Sequence, residues 1–218
     1  MDDPNDRGGG TTPSKENTST PLSLIAEAFE ELARTIKSKD FQDLRLGTFS
    51  EACSLVSVLF GCLGIAFKFA EMEYVAKVQD LVQASKTFGT LRNIIDYDVE
   101  NDSVRKPGSS TRNLRRVRQG LDLIRALFEQ FISSDECSLR EAASSAYAEV
   151  CAPFHTWAIR TAVFAGMYAL PSKQQLILKL NETDQSVERE MRRYIDASIP
   201  VIEYIDKLYI SKNITLDW

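Results

Sequence analysis

Two arginines in the middle of the chain precede a line of small and apolar residues. Arg112, Arg116, Gly120, Leu123 and Leu127 follow one another in steps of four, four, three and four residues. On an α-helix these steps keep all five positions on one face, because each residue turns about 100°. Cations above an apolar line suit an anionic amphiphile, whose head would bind the guanidinium groups. A solvated basic segment at the start of a helix would explain the same spacing.

The surrounding sequence predicts where this helix begins. Pro107-Gly108 precedes a helix from about Ser110 to Ser133, with a hydroxyl residue between Ser109 and Thr111 as its N-cap. We expect exposed backbone N–H groups there to favour a bound phosphate. A second face is typical of ordinary core packing and carries Leu114, Val117, Leu121, Ile124, Phe128 and Phe131.

Glu73 and Lys77 lie one helical turn apart, after the most apolar part of the chain. One interpretation is an exposed ion pair that contributes little to stability. The other is part of a polar binding site. In that site the carboxylate would accept N–H and O–H donors, and the ammonium group would bind phosphate.

His155 is the only histidine, and it lies in the segment APFHTW, residues 152–157. Ile159, Ala162 and Gly166 follow it at helical spacing, so small and apolar side chains would lie beside the imidazole. A core histidine with its hydrogen bonds satisfied fits this pattern. A ligand contact that donates a ring N–H to a carbonyl fits it as well. Trp157 is either a packing residue or an anchor at a membrane interface.

Cys151 and His155 are four residues apart and raise the hypothesis of a Cys–His enzyme. Pro153 argues against it, because proline favours the first helical turn and leaves Cys151 outside the helix. Motifs such as GxSxG, HExxH and a glycine-rich phosphate loop are absent. The four cysteines, Cys53, Cys62, Cys137 and Cys151, form no C-x-x-C pair, and the single histidine cannot complete a zinc set with them. We therefore predict reduced thiols in the cytosol and neither metal nor cofactor.

Composition limits the remaining classes of protein. The chain has 218 residues, of which 44% are hydrophobic, and a net charge of −5, which disfavours a nucleic-acid-binding role. Residues 1–21 are polar and lack the features of a signal peptide, so we predict a disordered tail before a domain at residues 22–218. Ala52 to Phe67 is the most apolar stretch but is shorter than the roughly 20 residues that span a membrane.

Helical periodicity dominates after Leu22, and no alternating pattern indicates a sheet. The pattern predicts six to eight helices in a compact all-α domain. The main predicted helices run over residues 22–37, 48–77, 78–99, 110–133, 139–150 and 153–169, followed by a last helix that ends near Ser211.

Three segments together resemble a known family. They are LVSVLFGCLGIAFKFAEMEYVAK (residues 55–77), VRKPGSSTRNLRRVRQG (residues 104–120) and APFHTWAIR with the following GMYALP (residues 152–160 and 166–171). The sequence resembles the glycolipid transfer protein superfamily, and particularly its plant accelerated-cell-death branch, which transfers ceramide-1-phosphate. The likeness extends from about Leu22 to Trp218.

This resemblance implies a two-layer all-α sandwich that encloses one sphingolipid in an apolar pocket and moves it between membranes without chemistry. Lys77, Arg112 and Arg116 match the phosphate-binding cations of the family, and His155 matches the residue that contacts the amide carbonyl. Glu73 stands where the family has aspartate, which accepts from the sphingoid amide and hydroxyl groups. The extra methylene shifts this carboxylate within a tight site. The predicted pocket lining is Phe69, Gly120, Leu123, Leu127, Ile159, Ala162 and Gly166.

We therefore expect a monomeric, cytoplasmic carrier of ceramide-1-phosphate that docks transiently on membranes through Trp157. Two alternatives stay open. A helical module for lipid sensing or protein interaction, for example a regulator of programmed cell death, would not depend on Arg112 and Arg116. A lipid-modifying enzyme would depend on Cys151.

Overall fold

The computed structural model describes residues 19–64, 67–133 and 138–218. Within these residues the chain forms nine α-helices, and Ala152–Phe154 form a short 3₁₀ turn; the predicted all-α class is confirmed. The helices are α1 (Pro21–Lys37), α2 (Leu46–Cys62), α3 (Lys68–Ala84), α4 (Leu91–Glu100), α5 (Ser110–Ser133), α6 (Leu139–Val150), α7 (Trp157–Met167), α8 (Lys173–Lys179) and α9 (Asp184–Ser211).

Helix α5 lies at the centre and contacts α2, α3, α4, α6 and α9. Its bounds are those predicted from the sequence, as are the bounds of α6. The predicted core face of α5 is confirmed, since each of its members is buried: Leu114, Val117, Leu121, Ile124, Phe128 and Phe131. Burial of such side chains stabilises the fold by about 1.5–3 kcal/mol each, so this face holds α5 in place.

Aromatic contacts tie α1 and α9 to the central helix. The ring of Tyr194 in α9 meets Phe29 of α1 at 5.0 Å and Phe128 of α5 at 5.5 Å, both edge to face. Its hydroxyl also donates to the carbonyl of Leu121 at 3.1 Å. The fully buried hydroxyl thus has an acceptor, and three helices share one anchor.

Three predicted helix boundaries are wrong. The helix predicted over residues 48–77 ends at Cys62, where the chain reaches Gly64 with φ of +96°, a conformation that favours glycine. The helix predicted over residues 78–99 is interrupted after Ala84, and α4 begins anew behind Thr90, whose hydroxyl accepts from the Asn93 amide. Near Pro153 the chain forms the 3₁₀ turn, and α7 starts only after its N-cap, Thr156.

Most of the predicted N-terminal tail, residues 1–18, lies outside the described residues, as does Cys137. Helix α1 begins at Pro21, one residue before the predicted domain start, and Thr20 caps it. The Thr20 hydroxyl also donates to Glu182, which links the start of α1 to the segment just before α9. No helix in the described ranges is both long and apolar enough to cross a membrane.

Candidate functional site

Helices α3 and α5 pack together through two contacts that fix their register. The Asn113 side-chain amide donates to Asp80 at 3.0 Å. Further along, the ring of Tyr74 lies on Gly120, so close that a Cβ on this glycine would come within 2.8 Å of the ring. The residue numbers rise along α5 as they fall along α3, so the two helices run antiparallel here.

This register places Lys77 opposite Arg116. Lys77 is midway between the two contact positions on α3, and Arg116 is midway between those on α5. The Lys77 side chain is 30% exposed, and its carboxylate neighbour is Glu73, 3.9 Å from Nζ. That contact is the predicted pairing across one helical turn, and its length makes it a weak one.

Arg112 and Arg116 bind neutral oxygens in place of carboxylates. Nη1 of Arg112 donates to the Arg105 carbonyl at 3.1 Å, and Nη1 of Arg116 donates to Oε1 of Gln119 at 3.1 Å. Within the described residues neither arginine has a carboxylate oxygen within 4.0 Å. Burial, and next the positive charge of Arg112, lower the pKa of Arg116. Two adjacent, half-buried cations without a carboxylate partner in the described ranges are suited to bind an anion.

The next arginines on α5 show the contrast. Arg118 pairs with Asp122 at 2.6 Å and with Asp206 at 2.5 Å. Arg125 pairs with Asp122 and Glu129, each at 2.7 Å. Carboxylates of α5 and α9 therefore neutralise Arg118 and Arg125, whereas Arg112 and Arg116 have no carboxylate partner among the described residues.

The N-terminus of α5 does not offer its backbone to a ligand, which corrects one expectation. The Thr111 amide donates to Asp98 at 2.8 Å, and the Arg112 amide donates to the Ser109 hydroxyl at 3.2 Å. The Asn113 amide donates to the Ser109 carbonyl at 3.0 Å. Ser109 is thus the predicted hydroxyl cap, but together with buried Asp98 it satisfies these donors internally. An anion would meet side chains here.

His155 lies between the 3₁₀ turn and α7, not on a helical line with Ile159 as the spacing predicted. Its Nδ1 is 2.8 Å from the hydroxyl of Tyr147. Burial, and next the positive charge of Arg116, lower the pKa of His155. The imidazole is therefore mainly neutral at pH 7, and it lies within electrostatic range of Arg116.

The predicted apolar lining falls into two groups. Leu127 lines a cavity of about 10 Å³ whose other walls are Leu59, Leu63, Ile124, Phe128, Leu176 and Leu180. Leu123 and Gly120 are not among the residues that line it; Leu123 is partly buried against the core, and Gly120 lies under Tyr74.

The second group lies on α3 and α7. Phe69 is 76% exposed and Ile159 is 46% exposed, Ala162 is exposed and Gly166 is half-buried. These four residues do not line the cavity in this conformation. Trp157, the predicted membrane contact, is 74% exposed at the start of α7.

The geometry does not support a Cys–His pair. Cys151 is buried, and this burial raises its pKa to about 12, so the thiol stays protonated near neutral pH. The Nδ1 of His155 is bonded to Tyr147, not to sulfur.

Sequence reasoning missed Tyr147, Asp98 and Gln119, whose side chains hold His155, the α5 N-terminus and Arg116. None of them belongs to a helical line of functional residues. Their partners are distant in sequence or on another element, apart from Gln119, which is one turn from Arg116 and was open to an i, i+3 argument.

The structure is an all-α fold with a cation cluster, a neutral histidine and an apolar interior, an arrangement that suits an anionic amphiphile. The chain belongs to the glycolipid transfer protein (GLTP) family, whose model matches residues 44–182.

The chain is 66% identical over 213 residues to the "ACD11 homolog protein" of Arabidopsis thaliana, covering 95% of this chain and 92% of the relative. It is 51% identical over 199 residues to "Accelerated cell death 11" of the same plant, covering 91% of this chain and 96% of that relative. A crystal structure of a point mutant of Arabidopsis ACD11, complexed with C12 ceramide-1-phosphate, superposes with a TM-score of 0.89 at 50% identity. The superposition covers 93% of this chain and 100% of the ACD11 chain. The predicted GLTP fold is confirmed.

Proposed function

We propose that residues 22–218 carry ceramide-1-phosphate between membranes without breaking a bond in the lipid. The observation that carries this proposal is the pair of arginines, Arg112 and Arg116, which have no carboxylate partner in the part of the chain that the structure describes and lie opposite Lys77. The ceramide-1-phosphate bound to the related ACD11 chain supports the same ligand.

The phosphate binds Lys77, Arg112 and Arg116. Their charges offset that of a phosphate monoester, and two guanidinium groups offer bidentate hydrogen bonds. Each charge-assisted hydrogen bond contributes about 1.5–3 kcal/mol, which corresponds to at least tenfold in affinity. Neutral sphingolipids lack this contribution, so the cluster selects for the phosphate.

The ceramide amide binds at His155 and Glu73. The neutral imidazole donates from Nε2 to the amide carbonyl, since Nδ1 is engaged by Tyr147. The Glu73 carboxylate is 59% exposed and accepts from the amide N–H and the sphingoid hydroxyl.

The hydrocarbon chains enter between the helices around the apolar cavity. At about 10 Å³ this cavity is at the lower limit for one water molecule, so α2, α5 and α8 must separate when a lipid enters. Each buried methylene contributes about 0.8 kcal/mol, which offsets the cost of opening. The protein acts as a monomer and docks transiently on the membrane with Trp157, which is already exposed.

Transfer is physical and not chemical. A buried Cys151 thiol with a pKa of about 12 is a poor nucleophile, and the family consists of lipid transfer proteins. Replacement of Cys151 by alanine therefore leaves transfer unchanged.

Vesicle-to-vesicle transfer of labelled lipids tests the proposal. The native protein should move ceramide-1-phosphate faster than ceramide, glycosylceramide or phosphatidic acid. Arg116→Gln should slow ceramide-1-phosphate transfer at least tenfold. The matched control Arg34→Gln, which removes an arginine that is 72% exposed on α1, should not. Equal rates for charged and neutral sphingolipids would overturn the phosphate assignment, and no transfer of any lipid would favour an interaction module.

A further inference from the structure

Tyr147 of α6 is held between two aromatic neighbours and presents its hydroxyl to the only histidine of the chain. Its ring is buried and packs edge to face on Phe164 of α7, with centroids 5.6 Å apart. Its hydroxyl oxygen is 2.8 Å from Nδ1 of His155. The contact therefore joins α6 to the turn that precedes α7 at one defined ring nitrogen.

The direction of this hydrogen bond follows from the available partners. Burial raises the pKa of Tyr147, so the hydroxyl keeps its proton. Among the described residues Nδ1 of His155 is the partner within hydrogen-bonding distance of this hydroxyl. The buried proton is satisfied only if the hydroxyl donates, which requires an unprotonated Nδ1. A neutral imidazole then carries its proton on Nε2.

We propose that Tyr147 is a positioning residue that holds His155 in the Nε2–H tautomer and aims this N–H at the lipid carbonyl. The inference rests on the proposed function and specifies how the amide part of the site is selected. In the opposite tautomer Nε2 would present a lone pair to the carbonyl oxygen, and two acceptors would face each other. Tyr147 thus acts on the lipid through His155, without contact of its own.

Nitrogen NMR of the lipid-free protein tests the tautomer directly. Because the chain has one histidine, ¹⁵N-histidine labelling gives the signals of one imidazole. Above the pKa of His155, we expect a pyridine-like Nδ1 and a pyrrole-like Nε2. In Tyr147→Phe, which keeps the ring and its packing, the two tautomers should mix. A pyrrole-like Nδ1 in the native protein, or an unchanged tautomer in Tyr147→Phe, would overturn the proposal.

Tyr204→Phe is the matched control. Tyr204 of α9 is also a buried tyrosine, and its hydroxyl donates to Asp43, which precedes α2, and not to His155. It should alter neither the tautomer nor transfer. A tautomer change in Tyr204→Phe equal to that in Tyr147→Phe would mean that general loosening of the fold, not the contact with His155, sets the tautomer.

Transfer of ceramide-1-phosphate provides the second readout. Tyr147→Phe loses one neutral hydrogen bond and should therefore transfer ceramide-1-phosphate roughly two- to tenfold more slowly than the native protein. Unchanged transfer despite a changed tautomer would overturn the positioning role. A native protein that carries no ceramide-1-phosphate would instead overturn the proposed function, and the NMR result would separate that failure from this one.

Discussion

The ring of Tyr74 lies directly on the backbone of Gly120, and a Cβ at residue 120 would come within 2.8 Å of two ring carbons. Only glycine lets α3 approach α5 this closely. The approach matters for the candidate site because it sets Lys77 opposite Arg116. A residue without a side chain therefore positions two cations that lie one helical turn away.

Gly120→Ala should disturb both stability and transfer. The Tyr74 ring cannot easily move aside, because its hydroxyl donates to the Cys53 carbonyl at 3.1 Å and the tilted ring of Phe60 packs against it, with centroids 4.9 Å apart. Overpacking costs about 1–3 kcal/mol, and removal of a helical glycine returns about 0.5–1 kcal/mol. We expect a net loss of about 1–2 kcal/mol in the free energy of unfolding, measured by urea denaturation.

Gly47→Ala is the control for this substitution. Gly47 also lies in a helix, α2, but a Cβ there would meet its nearest neighbour, Ser85, at 3.9 Å, which is ordinary contact. The variant should be as stable as the native protein or more stable, and transfer should persist. Equal destabilisation by both alanines would mean that the Tyr74 contact has no special role.

Glu73→Asp should speed ceramide-1-phosphate transfer several-fold. The shorter side chain restores the residue of the family pattern and moves the carboxylate back by one methylene. It also removes the 3.9 Å contact with Lys77 and leaves that ammonium group to the phosphate. Transfer kinetics measured beside the native protein would check the gain, and a slower variant would show that glutamate suits this site.

Glu203→Asp is a matched control for Glu73→Asp. Glu203 is also 59% exposed and pairs with a lysine one turn ahead, Lys207, at 3.5 Å. Shortening this carboxylate on α9 should leave the transfer rate unchanged and alter the free energy of unfolding by no more than a few tenths of a kcal/mol.

Local periodicity was enough to predict α5 and α6, because the apolar face repeats over the whole length of each helix. It was not enough to predict the break at Gly64. Glycine is tolerated inside helices, and only the path of the chain decides whether its φ becomes positive. The apolar periodicity therefore predicted which residues share a helix face, but it did not predict where several of the helices end.

The residues of the candidate site also divide into those that the sequence predicted and those whose placement depends on tertiary contacts. Spacing put Arg112 and Arg116 on one face, and resemblance added Lys77 and His155. The placement of Lys77 depends on contacts between α3 and α5, which no local pattern contains. The Tyr147 contact is also tertiary, since a turn brings its partner back onto α6.

Arg116→Gln should raise the pKa of His155. The charge of Arg116 is the second cause, after burial, that lowers this pKa, so its removal favours protonation. Since the pKa in the folded protein is below that of the unfolded chain, about 6.5, the unfolded chain binds the proton more readily. The contribution of His155 to stability is therefore present above pH 6.5 and is lost as the pH falls toward the folded value.

Proton NMR titration of the single histidine measures this change. The matched variant Arg34→Gln should leave the pKa of His155 at its native value. An unaltered pKa in Arg116→Gln would show that the guanidinium and the imidazole are not in electrostatic contact and would argue against one common site.

Arg115 joins the C-terminal segment to α5, so deletion of residues 216–218 should lower the free energy of unfolding. The arginine is buried, its Nη2 donates to the Leu216 carbonyl at 2.6 Å, and its guanidinium lies over the Phe154 ring at 5.6 Å. Loss of the carbonyl leaves a buried charged donor without its partner, which costs about 1–3 kcal/mol. Thermal and urea unfolding of the shortened chain measure this loss.

A double-mutant cycle with Arg115→Met separates this bond from other effects of the deletion. Methionine fills much of the same space without a polar group, so in the shortened chain it removes the unsatisfied donor. Arg115→Met should therefore cost less stability in the shortened chain than in the full chain, with a coupling of about 1–2 kcal/mol. Strict additivity of the two changes would mean that the C-terminal segment stabilises the fold through contacts other than this hydrogen bond.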